Sequence, residues 1–203
     1  LQPRPESVIV TDGTAGSSPR AAPTGPRGTC RPLSVLPLPC LHVPSLPSGH
    51  AREAGLTADV ADGVREAIAA ATALYDAVAE RIASLPVRPR LYVYGQSLGS
   101  VGGSAALQHG GACGALWAGP PAGTAVGDAA VLANSSDPVV RWSPRLAVAP
   151  PDLSAVRADA PAPPWLPVVS FVQTTVDLFD ALETPAGHGH RYGTDQGTSM
   201  PSC

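Results

Sequence analysis

A serine stands between two glycines in the stretch GQSLG at 95–99, which follows the apolar run LYVY at 91–94. The G-x-S-x-G spacing is typical of a nucleophilic serine on a sharp turn from a strand into a helix. Such a turn strains the backbone at the serine and leaves no room for side chains at the flanking positions. We therefore interpret Ser97 as a candidate nucleophile. The alternative is a serine in an ordinary glycine-rich turn.

A serine hydroxyl is a weak nucleophile unless a general base takes its proton. The sequence contains five histidines: His42, His50, His109, His188 and His190. The first two fall in a proline-rich segment of unusual composition, and the third ends the helix predicted after Ser97. The other two lie in the glycine-flanked stretch PAGHGHRYG at 185–193. We favour His188 as the base, with His190 as the alternative.

The base in turn needs a carboxylate that fixes its tautomer and stabilises its charged form. Asp137 follows an apolar run and precedes Pro138, and it completes the chain order Ser, Asp, His. The competing aspartates are Asp128, Asp152, Asp159, Asp177 and Asp180. They precede the strand, fall in a proline-rich stretch or lie on the last predicted helix. We favour Asp137 as the acid over a role as a turn-forming Asp-Pro.

Attack on a carbonyl places negative charge on the substrate oxygen, which backbone N–H groups can stabilise. The helix predicted after the serine would offer the N–H of Leu98. A second donor is expected from the loop TDGT at 11–14, which follows the first strand. Its candidates are Asp12, Gly13 and Thr14.

Strands and helices alternate along the chain. The segments that contain a short apolar or β-branched run, and therefore predict strands, are 6–14, 90–95, 114–121 and 129–138. Helices are predicted over 57–85, 97–110 and 167–182. Because the strand runs lack a two-residue period, we expect a mostly parallel sheet of about five strands, covered on both faces. This is a three-layer α/β architecture in a single domain over 1–203, with an irregular excursion at 143–167.

The segment 13–50 departs from this pattern. Residues 13–52 contain eight prolines and no Asp or Glu, and proline removes hydrogen-bond donors from a central strand. We hypothesise that part of 13–50 is translated out of frame from a GC-rich coding sequence. None of the four cysteines has the spacing of a metal site, so free thiols are expected. A Cys30–Cys40 bridge is the alternative.

The composition excludes several classes of partner. The net charge is −3, and all 13 basic residues are arginine, which argues against a nucleic-acid surface. No apolar stretch reaches the roughly 18–20 residues of a membrane span, so we expect the chain as given to be soluble. We expect neither a metal nor an organic cofactor.

Three stretches together carry a resemblance to a known family: RPRLYVYGQSLGS, GALWAGPP, and the region from SDPVV to HGHRYG. They resemble the α/β-hydrolase superfamily, and more closely the C-terminal catalytic domain of a bacterial family of membrane-associated α/β-hydrolase-like proteins. The similarity covers most of 57–193 and implies an abbreviated α/β-hydrolase fold. It implies Ser97 as nucleophile, Asp137 as acid and a histidine of 187–190 as base.

Two departures from the family pattern matter. The family has a strand and loop containing tyrosine and tryptophan where this chain has 13–50, and the region between Pro121 and Val131 is shortened. Relatives carry an N-terminal multi-span region, so the resemblance implies membrane association of the full-length protein through such a region.

The expected function is a serine esterase or lipase-like hydrolase that cleaves small-molecule or lipid esters through an acyl-enzyme. The alternatives are a thioesterase or acyltransferase with the same triad, or an inactive domain that binds lipid or a protein partner. Among Trp117, Trp142, Trp165 and Phe171, some could line a site for an apolar acyl chain.

Overall fold

The computed structural model describes residues 6–12, 56–161 and 163–203. The predictions that fall on 13–50, including those for Gly13, Thr14 and the Cys30–Cys40 bridge, lie outside the described residues.

Four strands and four α-helices make up the described part of the chain. They are β1 (Glu6–Asp12), α1 (Leu56–Ala83), β2 (Arg90–Gln96), α2 (Leu98–Leu107), β3 (Gly114–Ala118), β4 (Ala130–Leu132), α3 (Pro138–Arg141) and α4 (Val169–Asp177). Short 3₁₀ turns follow at Pro144–Ala147, Leu178–Asp180 and Thr194–Gln196. These bounds agree with the predicted helices and strands to within a few residues at most ends, but β4 is shorter than the predicted 129–138 and α4 is shorter than the predicted 167–182.

The described strands form one parallel sheet in the order β1-β2-β3-β4. This confirms the α/β class and the parallel sheet, with four strands in the described residues where about five were expected. The register pairs Asp12 with Gln96, Gln96 with Ala118, and Ala118 with Leu132. Each of these four residues is the last of its strand, so the segments that follow the strands all begin at one edge of the sheet.

The strand β3 is buried on both of its faces. Trp117 packs on one face with Tyr75 of α1 and Ala106 of α2. The next residue, Ala118, packs on the other face with Leu132 and with Tyr192 from the C-terminal segment. Since neighbouring residues of a strand point to opposite faces, this double burial explains why the strand sequences are apolar without alternation.

A disulfide links Cys113, just before β3, to Cys203, with the two Cα atoms 5.3 Å apart. The expectation of free thiols is therefore wrong for this pair. The bond joins positions 90 residues apart, and it holds the C-terminal segment against the amino end of β3.

Within the described ranges, every helix is too short or too polar to cross a lipid bilayer.

Candidate active site

Ser97 lies at the turn between β2 and α2. Its backbone has φ 51° and ψ −124°, a conformation that is strained for a residue with a side chain. The N–H of Ser97 donates to the carbonyl of Ala118 at 3.0 Å, and the N–H of Ser100 donates to the carbonyl of Ser97 at 2.9 Å. These bonds hold the strained turn at the carboxyl edge of the sheet, as expected for an exposed nucleophile.

The glycines of the G-x-S-x-G stretch allow this turn to close. A Cβ atom at Gly95 would lie 2.6 Å from the carbonyl oxygen of Gly99, which is closer than real atoms approach. The strand and the first turn of α2 can therefore meet only where residue 95 has no side chain. This contact confirms the steric argument for Gly95.

Asp137 is fully buried at the N-terminus of α3, five residues after β4 ends at Leu132. One carboxylate oxygen, Oδ1, accepts the N–H of Val139 at 2.8 Å. The other, Oδ2, accepts the hydroxyl of Tyr192 at 2.7 Å and pairs with Nδ1 of His190 at 2.8 Å. These three donors satisfy both oxygens of the buried side chain, and Oδ2 is placed to orient an imidazole.

The histidine paired with Asp137 is His190 and not His188. The side chain of His190 is 6% exposed, whereas that of His188 is 52% exposed. Nδ1 of His188 lies 3.0 Å from the backbone carbonyl of Asp159. The geometry therefore favours His190 over His188 as the candidate base, because the chain turns between the two histidines and His190 is the one that pairs with the buried carboxylate.

Tyr192 is a site residue that the sequence analysis missed. It is buried, and its hydroxyl also accepts the backbone N–H of Asn134 at 3.2 Å. Burial, followed by the neighbouring charge of Asp137, raises the pKa of Tyr192 well above its ordinary value. The hydroxyl therefore stays protonated and donates to Asp137. The only sequence signal was a tyrosine two residues after His190, which by itself indicates nothing about its contacts.

The strand ends bring the serine and the acid together. Ser97 is bonded to Ala118, and the following residue, Gly119, donates its N–H to the carbonyl of Leu132 at 2.9 Å. A Cβ atom at Gly119 would lie 2.9 Å from Oδ2 of Asp137. Two consecutive residues at the end of β3 thus connect the turn at Ser97 to the carboxylate of Asp137.

Gly119 supplies a test of this packing. It has φ +57°, and an added Cβ would also lie 2.5 Å from Cε2 of Tyr192. We expect Gly119→Ala to destabilise the fold by about 3 kcal/mol, because overpacking adds to the cost of a left-handed backbone. Urea unfolding monitored by circular dichroism measures the change in the free energy of unfolding.

Gly123→Ala is the matched control. Gly123 also has a positive φ, of +85°, but no atom lies within 4 Å of the position that a Cβ would take there. Gly123→Ala should lower the free energy of unfolding by only about 1 kcal/mol, which is the cost of placing a Cβ on a backbone with positive φ. Equal losses in the two variants would contradict the close approach at Gly119.

The predicted oxyanion donors are described only in part. Leu98 is the first residue of α2, and the N–H groups in the first turn of a helix have no partner within the helix. Asp12, at the end of β1, pairs with Gln96. The loop after β1 therefore begins beside Ser97, as the expected second donor requires, although Gly13 and Thr14 themselves lie outside the described residues.

The remaining aspartates do not reach His190 by any hydrogen bond found in the described residues. Asp128 precedes β4, Asp152 accepts the N–H of Ser154 at 3.0 Å, and Asp177 and Asp180 lie at the end of α4 and beyond it. Asp159 has a buried side chain that contacts the loops on both sides of the site. In the described ranges, no group of three or more His, Cys, Asp or Glu side chains is arranged to hold a metal ion.

A cavity of about 400 Å³ lies between α3, α4 and the irregular segment. Its apolar walls come from Leu146, Pro150, Pro151, Leu153, Pro163, Pro164, Trp165, Leu166 and Val169. Of the aromatic residues considered from the sequence, Trp165 lines this cavity and Trp117 lies in the core. Trp142 and Phe171 pack against each other with ring centres 6.0 Å apart.

Comparison with known proteins gave one family match. The model of the Alpha/beta-hydrolase family matches the chain in two segments, 59–131 and 127–200. No curated protein and no solved structure matches the chain. The two matched segments include the turn at Ser97 in one and both Asp137 and His190 in the other. The chain belongs to the alpha/beta-hydrolase family.

Proposed function

We propose that this protein is a serine hydrolase that cleaves carboxylic esters, with Ser97 as nucleophile, His190 as general base and Asp137 as the orienting acid. The observation that carries the proposal is the buried Asp137–His190 pair at 2.8 Å, next to the strand end that holds the strained Ser97. The family membership supports a hydrolase, and the chemistry of the three side chains supports the serine class.

The contacts of Asp137 define the tautomer of His190. The carboxylate can only accept, so the proton of the neutral imidazole resides on Nδ1, and Nε2 is left with its lone pair. Nε2 can then take the proton of the Ser97 hydroxyl as Oγ attacks the ester carbonyl. The resulting imidazolium is stabilised by the buried negative charge of Asp137.

The reaction then proceeds in two halves. The tetrahedral oxyanion is stabilised by the Leu98 N–H and the positive end of α2, and it collapses to an acyl-enzyme as His190 protonates the departing alcohol. A water molecule, deprotonated by His190, next attacks the acyl carbon. The carboxylic acid leaves, and Ser97 recovers its proton.

The direct test is hydrolysis of p-nitrophenyl acetate and butyrate, together with labelling of Ser97 by a fluorophosphonate probe. We expect release of p-nitrophenol and one label per chain at Ser97. Labelling without ester turnover, but with cleavage of acyl thioesters or transfer to an alcohol, would favour the thioesterase or acyltransferase alternatives. Absence of both labelling and turnover would favour an inactive binding domain.

The cavity beside α3 suggests a preference for an apolar acyl chain. It is lined by Arg141, the last residue of the helix that begins directly after Asp137, and its wall is held by a bond from Nε1 of Trp165 to the carbonyl of Leu146 at 3.0 Å. A volume of about 400 Å³ is in the range of small-molecule sites.

We expect Leu166→Asp to lower kcat/KM for a p-nitrophenyl decanoate about tenfold and to leave that for the acetate unchanged. Leu166 lines the cavity and is half exposed, so the fold tolerates the change. A charge beside the bound acyl chain offsets the free energy gained by burying about two of its methylene groups, which corresponds to about tenfold in kcat/KM.

Leu182→Asp is the matched control, since Leu182 is equally exposed and lies outside the cavity lining. If the dependence of kcat/KM on acyl-chain length changes equally in both variants, the cavity does not bind the acyl chain.

A further inference from the structure

Asp159 connects the two loops that carry the candidate acid and base. Its Oδ1 accepts the backbone N–H of Ser136 at 2.9 Å, and its Oδ2 accepts the backbone N–H of Gly189 at 3.1 Å. Ser136 directly precedes Asp137, and Gly189 directly precedes His190. One carboxylate therefore binds the residue before each member of the buried pair.

Further bonds complete this cluster. The hydroxyl of Ser136 also donates to Oδ2 of Asp159 and accepts the N–H of Gly189 at 3.0 Å. The hydroxyl of Ser135 donates to Oδ1 at 3.0 Å. The Asp159 side chain is only 2% exposed, so these donors replace the water that its charge would otherwise require.

The histidine loop is held from its other side as well. The carbonyl of Gly189 accepts Nδ2 of Asn134 at 2.8 Å, and Asn134 is fully buried. Gly189 has φ +54°, so the chain reverses there between an exposed His188 and a buried His190. Both polar groups of Gly189 are thus bonded, the carbonyl to Asn134 and the N–H to Ser136 and Asp159.

The protonation state of Asp159 suits this role. Burial, the largest single influence, raises its pKa, but the bonds from Ser136, Gly189 and Ser135 outweigh burial and lower the pKa to about 2. The group is therefore a carboxylate at neutral pH, and every partner must donate to it. A neutral amide of the same shape has only one oxygen, so it could accept the N–H of Ser136 or that of Gly189 but not both.

We propose that Asp159 is a positioning residue that fixes the imidazole of His190 against the carboxylate of Asp137, by bonding the backbone just before each of them. This rests on the proposed function for its kinetic consequence. Misplacement of a catalytic group by about 1 Å lowers the rate about 100-fold, so the loss of this connection acts on kcat. KM for a small ester changes little, since Asp159 does not contact the proposed nucleophile.

The test compares Asp159→Asn with Asp152→Asn. Asp152 lies in the same proline-rich segment and also accepts a backbone N–H, but it is exposed and contacts neither loop. We expect Asp159→Asn to lower kcat for p-nitrophenyl butyrate about 10- to 100-fold with KM within threefold. Asp152→Asn should behave as wild type.

A spectroscopic measurement separates this proposal from the proposed hydrolysis. In Ser97→Ala protein, the Nδ1 proton shared between His190 and Asp137 gives a low-field proton NMR signal. Asp159→Asn should broaden or abolish that signal while the core amide signals remain, and Asp152→Asn should leave it intact. This outcome supports the positioning role even if the wild type hydrolyses no ester, in which case only the proposed function fails.

Ser136→Ala is the second variant if Asp159→Asn does not fold. It removes one donor to Asp159 and one acceptor of the Gly189 N–H, while the carboxylate stays, and the same loss of kcat and of the low-field signal is expected. A folded variant of either kind that keeps both kcat within threefold and the low-field signal overturns the proposal.

Discussion

Replacing Ser97 with alanine is expected to lower ester hydrolysis by about 10⁴- to 10⁶-fold and to abolish labelling by a fluorophosphonate. The hydroxyl of Ser97 is the only group removed, and the Cβ that strains the left-handed backbone remains. The turn, its bond to Ala118 and the fold should therefore be preserved. The measurement is the rate of p-nitrophenyl butyrate hydrolysis alongside a thermal unfolding curve.

Ser104→Ala is the control for this variant. Ser104 lies on α2, and its hydroxyl donates to the carbonyl of Ser100 at 2.7 Å, within the helix. Its replacement should change the rate by less than threefold. If Ser97→Ala and Ser104→Ala hydrolyse the ester equally fast, the observed activity does not use Ser97 and the proposed mechanism is wrong.

The second large effect is expected at His190. His190→Gln should lower kcat by about 10⁴-fold, because an amide cannot take the proton of Ser97. The amide N–H₂ of glutamine can still donate to the buried carboxylate of Asp137, so the variant avoids leaving that charge without a donor. Single-turnover labelling with the fluorophosphonate measures the same loss without a contribution from deacylation.

His188→Gln is the matched variant two residues away. Its imidazole is half exposed and bonded to the carbonyl of Asp159, so we expect kcat within threefold of wild type. The reverse result, a large loss at His188 with His190→Gln nearly normal, would restore the assignment favoured from the sequence alone. Comparable losses in both would indicate that the loop, and not one imidazole, limits the rate.

The elements that carry the site were predictable because their signals are local. The apolar spacing of 57–85 predicted α1 over Leu56–Ala83, and the β-branched run at 90–95 predicted β2 over Arg90–Gln96. The glycines around Ser97 indicated the turn, because the clash of a Cβ at Gly95 with Gly99 involves residues four apart. Asp137 could be chosen from its place after an apolar strand.

The partners of those residues could not be predicted, since they come from distant parts of the chain. Tyr192 lies 55 positions from Asp137, and Cys113 and Cys203 are 90 apart, so no spacing rule relates them. From the sequence, Asp159 is only one residue of the irregular excursion at 143–167. It is in fact the carboxylate that bonds both Ser136 and Gly189.

From the amino-acid sequence alone, we expect a serine on a sharp turn after an apolar strand, an aspartate after a later strand, and a histidine near the C-terminus that completes the order. The sequence could not decide between His188 and His190, which share the same glycine-flanked loop. The fold shows that His190 pairs with Asp137, because Gly189 reverses the chain and the bonds from Asn134 and Asp159 hold that reversal. A side chain's direction in a loop depends on backbone contacts made across the fold, and local spacing carries no record of them.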